Sequence, residues 1–233
     1  MKFGVLVFPG TWSDRDWGHA LGYVSGQEVV YLWHDDTDLQ NCDVIIVPGG
    51  FAHGDYLRTG AIARFSPIMK SVRAFAEKGG LVLGSCNGFQ ILTEAGLLPG
   101  ALLRNACSSF LCEWTYIRVE RTDTPFTSQC RKGQILRIPI SHGEGLYFCD
   151  DTDLQALEDR GGVVFRYCDA NGAVTPEANP NGSKNNIAGV INESGSVIAL
   201  MPHPERCCEP ELGGVDGLLI CQSMIQSIAG IHS

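Results

Sequence analysis

A chain of 233 residues with 44% hydrophobic side chains can bury a core of its own, and its length suits one large α/β domain or two small ones. Its 26 acidic residues outnumber 17 basic ones, and the net charge of −9 excludes a broad basic face that grips nucleic acid. No apolar run reaches the roughly 20 residues of a membrane span, and the first ends at Pro9-Gly10, too early for a signal-peptide core. The expected compartment is the cytoplasm, where ten cysteines stay reduced. None is spaced Cys-x-x-Cys, so no structural metal is expected, and the default reading of each is a small buried hydrophobe.

In chain order, residues 5–8, 29–33, 44–47 and 81–83 are short apolar runs closed by Pro or Gly signals or by polar residues. Their lack of alternation predicts strands covered on both faces, as in a parallel sheet. Between them, residues 16–25 predict a weak helix interrupted by Gly18 and Gly22, and residues 62–78 a stronger one with Ile68, Val72, Phe75 and Ala76 at helical spacing. Residues 89–95 predict a third helix. Alternating strands and helices predict a doubly wound, mostly parallel α/β sheet. Residues 115–120 and Leu136, Ile138 and Ile140 instead alternate apolar with polar, the pattern of an added antiparallel element. Residues 163–167, 187–191 and 197–201 predict further strands, 171–186 a polar loop, and 215–229 a last helix. Without repeats or a linker, residues 1–233 read as one domain.

Three strand ends carry candidate chemistry. Gly84-Ser85-Cys86-Asn87-Gly88 lies between a buried strand and a helix. A nucleophile on such an elbow needs small residues two positions either side, and the helix N-terminus favours a thiolate there. The same residues also suit a buried cysteine in a glycine-rich turn. His203-Pro204-Glu205 follows another apolar strand. The residue before proline is extended, so Glu205 can face the His203 ring and orient it, unless both belong to a solvated loop. Pro48-Gly49-Gly50 ends a third strand. The N–H groups of Gly50 and of Asn87, the residue after the cysteine, suit an oxyanion hole, although a plain turn has the same composition. No Walker A or G-x-G-x-x-G pattern is present.

Taken together, the elbow, the glycine turn and the His-Pro-Glu run resemble class I glutamine amidotransferases. More narrowly, residues 49–61, 86–90 and 179–183 with 187–189 are similar to the glutaminase subunits of phosphoribosylformylglycinamidine synthases. Residues 201–206 and Asp216-Gly217 fit as well, and Asp55-Tyr56-Leu57-Arg58 resembles the short, free-standing form. The resemblance implies a flavodoxin-like fold and a catalytic Cys86, His203 and Glu205, with Gly50 and Asn87 as oxyanion donors. It places the amino-acid end of glutamine against Gln90 and the Ser141-His142-Gly143-Glu144 loop. It further implies a synthetase large subunit, and a small accessory subunit, as partners in the same complex. ATP and magnesium would then belong to the synthetase, with no cofactor in this chain.

The sequence departs from that family at Thr11-Trp12-Ser13, where Ser-Asn-Cys is expected, in a loop the resemblance places near the partner. Two competing readings remain at this level. Peptidase-like or deglycase-like Cys hydrolases share the fold but place a histidine directly after the nucleophile, where Asn87 stands. A scaffold subunit with a vestigial site would also retain the fold.

Overall fold

In the computed structural model, which describes residues 1–231, the four apolar runs form adjacent parallel strands of a nine-stranded sheet; the run at 29–33 is its edge strand, where only Leu32 is fully buried, so the expected cover on both faces fails there. The strands are β1 (Lys2–Val7), β2 (Glu28–Trp33), β3 (Val44–Val47), β4 (Leu81–Ser85), β5 (Ala101–Leu103) and β6 (Leu111–Val119), then β7 (Ile135–His142), β8 (Leu146–Phe148), β9 (Val163–Cys168), β10 (Ile187–Ile191) and β11 (Val197–Leu200). The sheet runs β2-β1-β3-β4-β11-β10-β9-β6-β7, and β5 pairs with β8 in a separate ribbon. Pairings from β2 through β11 are parallel; those from β11 to β7 are antiparallel. The doubly wound sheet is as expected, and the antiparallel extension reaches four strands beyond β11.

Helices α1 (Asp14–Gly18), α2 (Pro67–Glu77), α3 (Asn87–Glu94), α4 (Asp151–Asp159) and α5 (Leu218–Ile231) cover the sheet. In β3 all four residues are buried, Val44 and Ile46 in one apolar layer and Ile45 and Val47 in the other. Burial on both faces explains the continuous apolar run, and each such side chain contributes roughly 1.5–3 kcal/mol.

Several expected bounds are corrected. The helix expected over 16–25 is α1 followed by a wider π-helical stretch, His19–Val24. The helix expected from residue 62 starts at Pro67, because proline leaves Ser66 extended (φ −57°, ψ 140°) and lacks an N–H to continue the preceding turn. Neither α4 nor the β5–β8 ribbon was expected, since α4 is mostly polar and the ribbon strands are three residues each. The reading of every cysteine as buried fails for Cys107 and Cys112, which are exposed.

Register brings the three candidate segments to one edge. Val47 of β3 sits level with Gly84 of β4, and Ser85 of β4 with Leu200 of β11. The glycine turn, Cys86 and the His-Pro-Glu run therefore leave the sheet side by side at the carboxyl ends of parallel strands, where doubly wound folds build their sites.

Candidate active site

Cys86 stands alone between β4 and α3 with φ 50° and ψ −107°, a backbone conformation that costs a non-glycine residue about 1–3 kcal/mol. The neighbours over-determine it. Its N–H donates to Leu200 O at 2.9 Å, and a Cβ on Gly88 would lie 1.8 Å from Val47 O. Any larger residue there would push α3 away from β3. The sulfur is 3.5 Å from Ser141 O and almost wholly buried, facing the start of α3.

His203 follows β11 and is tied to β7 by its N–H, which donates to Pro139 O at 2.9 Å. Its Nδ1 is 2.7 Å from Glu205 Oε1, with both residues no more than 2% exposed. The contact is the expected one, by a different route: Pro204–Arg206 is a 3-10 turn, not an extended stretch, and the turn swings Glu205 under the ring. Ser85 Oγ donates to the same carboxylate oxygen at 3.4 Å and itself accepts from Trp17 Nε1 at 2.9 Å. Burial would lower the His203 pKa, but the charge of Glu205, and next that of Cys86, outweighs it and raises the imidazole above its ordinary value. The ring Nε2 makes no hydrogen bond of normal geometry. It is the atom left for the reacting groups.

The turn at Gly49-Gly50 is clamped by the divergent loop. Trp12 and Ser13 N–H both donate to Gly49 O, at 3.0 and 3.1 Å, and Ser13 Oγ accepts from Gly49 N–H at 2.8 Å. Gly50 has φ 150°, and a Cβ on it would lie 2.6 Å from Trp12 N. Ser13 is fully buried while Trp12 is 68% exposed, so the loop has an inward clamp and an outward face. Among the described residues, neither Gly50 N–H nor Asn87 N–H has a protein acceptor.

A cavity of about 190 Å³ opens beside Cys86, lined also by Gly50, Gln90, Ser141, His142 and Gly143. Phe51, Asp55, Thr59, Phe110 and Glu144 complete it. Seven of the ten residues singled out in the sequence therefore line one cavity, with Asn87, His203 and Glu205 adjoining them. Gln90 is engaged at both ends of its amide: Oε1 accepts from Asn87 Nδ2 at 2.8 Å and Nε2 donates to Glu144 O at 2.6 Å. Burial, followed by the nearby His203, lowers the His142 pKa to about 4, so this ring is neutral. Burial and Glu144 raise the Asp55 carboxyl to about 6. Among the described residues, no group of three or more His, Cys, Asp or Glu is placed to hold a metal.

Residues 1–212 match the family model of the CobB/CobQ-like glutamine amidotransferase domain. The chain belongs to that family. It is 59% identical over 225 residues to the phosphoribosylformylglycinamidine synthase subunit PurQ of Moorella thermoacetica, covering 97% of this chain and 95% of that one. The PurQ subunit of Koribacter versatilis is 58% identical over 229 residues, covering 98% and 99%. Among solved structures, a chain of PurLQS from Thermotoga maritima superposes with a TM-score of 0.86 at 45% identity, covering 97% of this chain and 98% of that one.

Trp17, Ser85 and Ser13 are not legible as site residues in the sequence. Each acts through a residue far away in the chain, and only the register of the sheet makes them neighbours.

Proposed function

We propose that this chain is the glutaminase subunit of phosphoribosylformylglycinamidine synthase, hydrolysing glutamine and passing ammonia to a synthetase partner. The observation that carries the reading is the strained Cys86 elbow, set beside a buried His203–Glu205 pair and a cavity sized for a small molecule, in a chain more than half identical to PurQ subunits.

In this reading the Cys86 sulfur attacks the side-chain carboxamide carbon of glutamine. The Gly50 and Asn87 N–H groups, free of other acceptors, hold the oxygen that becomes negative; one such donor is worth about 2.7–4 kcal/mol. His203, kept protonated, gives a proton to the departing nitrogen, the C–N bond breaks and ammonia leaves a thioester on Cys86. The ring, now neutral at Nε2, takes a proton from water, whose oxygen attacks the thioester and releases glutamate. Glu205 holds the ring through Nδ1 throughout. Gln90, Ser141, His142 and Gly143 form the wall against the amino-acid end of the substrate.

Ammonia released into water is captured as ammonium, which is no longer a nucleophile, so the cavity must be covered by the protein that uses it. At the cavity the Phe51 ring lies 6.4 Å from that of Phe110 and meets that of Trp12 edge-on at 5.8 Å between ring centres, and all three are exposed. Such an aromatic rim suits a protein interface. We assign that interface to the synthetase large subunit, with a small accessory subunit in the same assembly, and assign ATP and magnesium to the synthetase. The biosynthetic role and ten unpaired thiols support a cytoplasmic location. The match over residues 1–212 and the continuous sheet support a single domain over residues 1–233, the last two of which lie outside those described.

The test is reconstitution with the synthetase and accessory subunits, ATP, magnesium, formylglycinamide ribonucleotide and glutamine. Equimolar glutamate and formylglycinamidine ribonucleotide are expected. Absence of glutamine hydrolysis in the complete assembly would overturn the reading.

A further inference from the structure

We infer that Asn105 and Asn181 are positioning residues of the glutamine pocket: their buried carboxamides hold residues 141–145, an irregular stretch of backbone, in the shape that admits substrate. The inference rests on the glutaminase reading above.

Residues 141–144 all line the cavity. Yet β7 stops at His142 and β8 starts at Leu146, so the backbone between them has no strand to pair with. Buried backbone groups need partners, and here side-chain amides supply them. Asn105 Nδ2 donates to His142 O and to Ser109 O, each at 2.9 Å. Its Oδ1 accepts from Gly145 N–H at 2.9 Å and lies 3.1 Å from His142 Nδ1. From the next stretch of chain, Asn181 Nδ2 donates to Gly145 O at 2.8 Å and to Tyr167 Oη at 3.2 Å. Its Oδ1 accepts from Ser183 N–H at 3.1 Å and from Ser183 Oγ at 2.7 Å. Both asparagines are no more than 1% exposed, and neither lines the cavity.

Every donor and acceptor of the two amides is therefore used, which fixes their orientation. Because Asn105 Nδ2 is committed to two carbonyls, its Oδ1 must face His142, and the His142 proton must sit on Nδ1. The His142 Nε2 is then a bare lone pair, buried and without a partner. The wall is also packed tightly: a Cβ on Gly145 would lie 2.3 Å from His142 Cε1. This gives a physical role to the Asn179-Pro180-Asn181-Gly182-Ser183 run, which the catalytic chemistry does not use. It braces the substrate wall from behind. Removing one amide leaves buried carbonyls unpaired, and the wall shifts to satisfy them.

The experiment uses Asn105→Asp and Asn181→Asp, which keep size but replace donors facing carbonyls with oxygens. In the reconstituted complex, each should raise the KM for glutamine about tenfold or more while kcat at saturation stays within about threefold. Labelling of Cys86 by a diazoketone analogue of glutamine should slow by the same factor as kcat/KM, while alkylation by iodoacetamide, which needs no pocket, keeps its wild-type rate. Unchanged KM, or a parallel fall of kcat and of both labelling rates, would overturn the positioning role. Should both variants fail to fold, Ser183→Ala, which removes the hydroxyl that lies 2.7 Å from Asn181 Oδ1 and 3.3 Å from Gly145 O and that accepts from Tyr147 N–H, carries the same test with a several-fold rise in KM expected. Wild-type protein that takes no diazoketone label contradicts the glutaminase reading itself; normal wild-type labelling with unaltered variants contradicts only the role given to the asparagines.

Discussion

Replacing Cys86 by alanine should lower glutamine-dependent synthesis in the reconstituted complex on the order of 10⁴- to 10⁶-fold, while synthesis from added ammonium salt continues at the wild-type rate. The asymmetry follows from where each step takes place. Without the sulfur there is no thioester, and the remaining oxyanion donors act on a reaction with no nucleophile. The synthetase, in contrast, only needs ammonia, from either source. An alanine at this position keeps the Cβ and relinquishes a side chain that is already buried, so the elbow and its 2.9 Å bond to Leu200 O are retained. Steady-state assays with the two nitrogen donors measure the effect. Loss of both activities would make Cys86 a structural residue of the complex, and retention of both would remove it from the mechanism.

Glu205→Gln should lower kcat for glutamine hydrolysis by about 10³- to 10⁴-fold with little change in KM. The substitution preserves volume in a site that is 1% exposed, so the loss is chemical. An amide can turn its NH₂ toward Nδ1 at the 2.7 Å contact, which forces the ring into the tautomer with its proton on Nε2 and removes the charge that keeps it protonated through the reaction. Glu205 does not line the cavity, hence the unchanged KM. The bond from Trp17 to Ser85 does not involve the carboxylate and should survive. A change of less than tenfold in kcat would show that Glu205 supports the fold and not the chemistry.

The parts of this molecule that were legible in its sequence are those that depend on local pattern. Val44-Ile45-Ile46-Val47 announced a doubly buried strand because both its faces are apolar. Cys86 stood out from nine other cysteines through Gly84 and Gly88: a Cβ on Gly88 would strike Val47 of β3, and one on Gly84 would strike Leu92 and Gly88 of α3. His203 and Glu205 are two residues apart, so their pairing is legible although a 3-10 turn, not an extended stretch, makes it. What lay beyond reach is long-range. Trp17 reaches Glu205 only through Ser85, and Asn105 reaches Gly145 only because two loops cross behind the pocket. No local spacing encodes either. The Thr11-Trp12-Ser13 loop illustrates the same limit from the other side. Its divergence suggested a partner contact, and Trp12 is exposed as that requires, but Ser13 turns inward and hydrogen-bonds the Gly49 N–H. Short elements such as β5 and β8, three residues each, carry too little pattern to be distinguished from loop.

The central claim is that one cysteine of ten is a nucleophile shaped for glutamine. Incubating the full complex with the diazoketone analogue, digesting it and mapping the adduct by mass spectrometry tests this most directly. A single adduct on Cys86, prevented by excess glutamine, is the expected result. An adduct on the exposed Cys107 or Cys112 with Cys86 unmodified, or labelling at Cys86 that glutamine does not prevent, would contradict it.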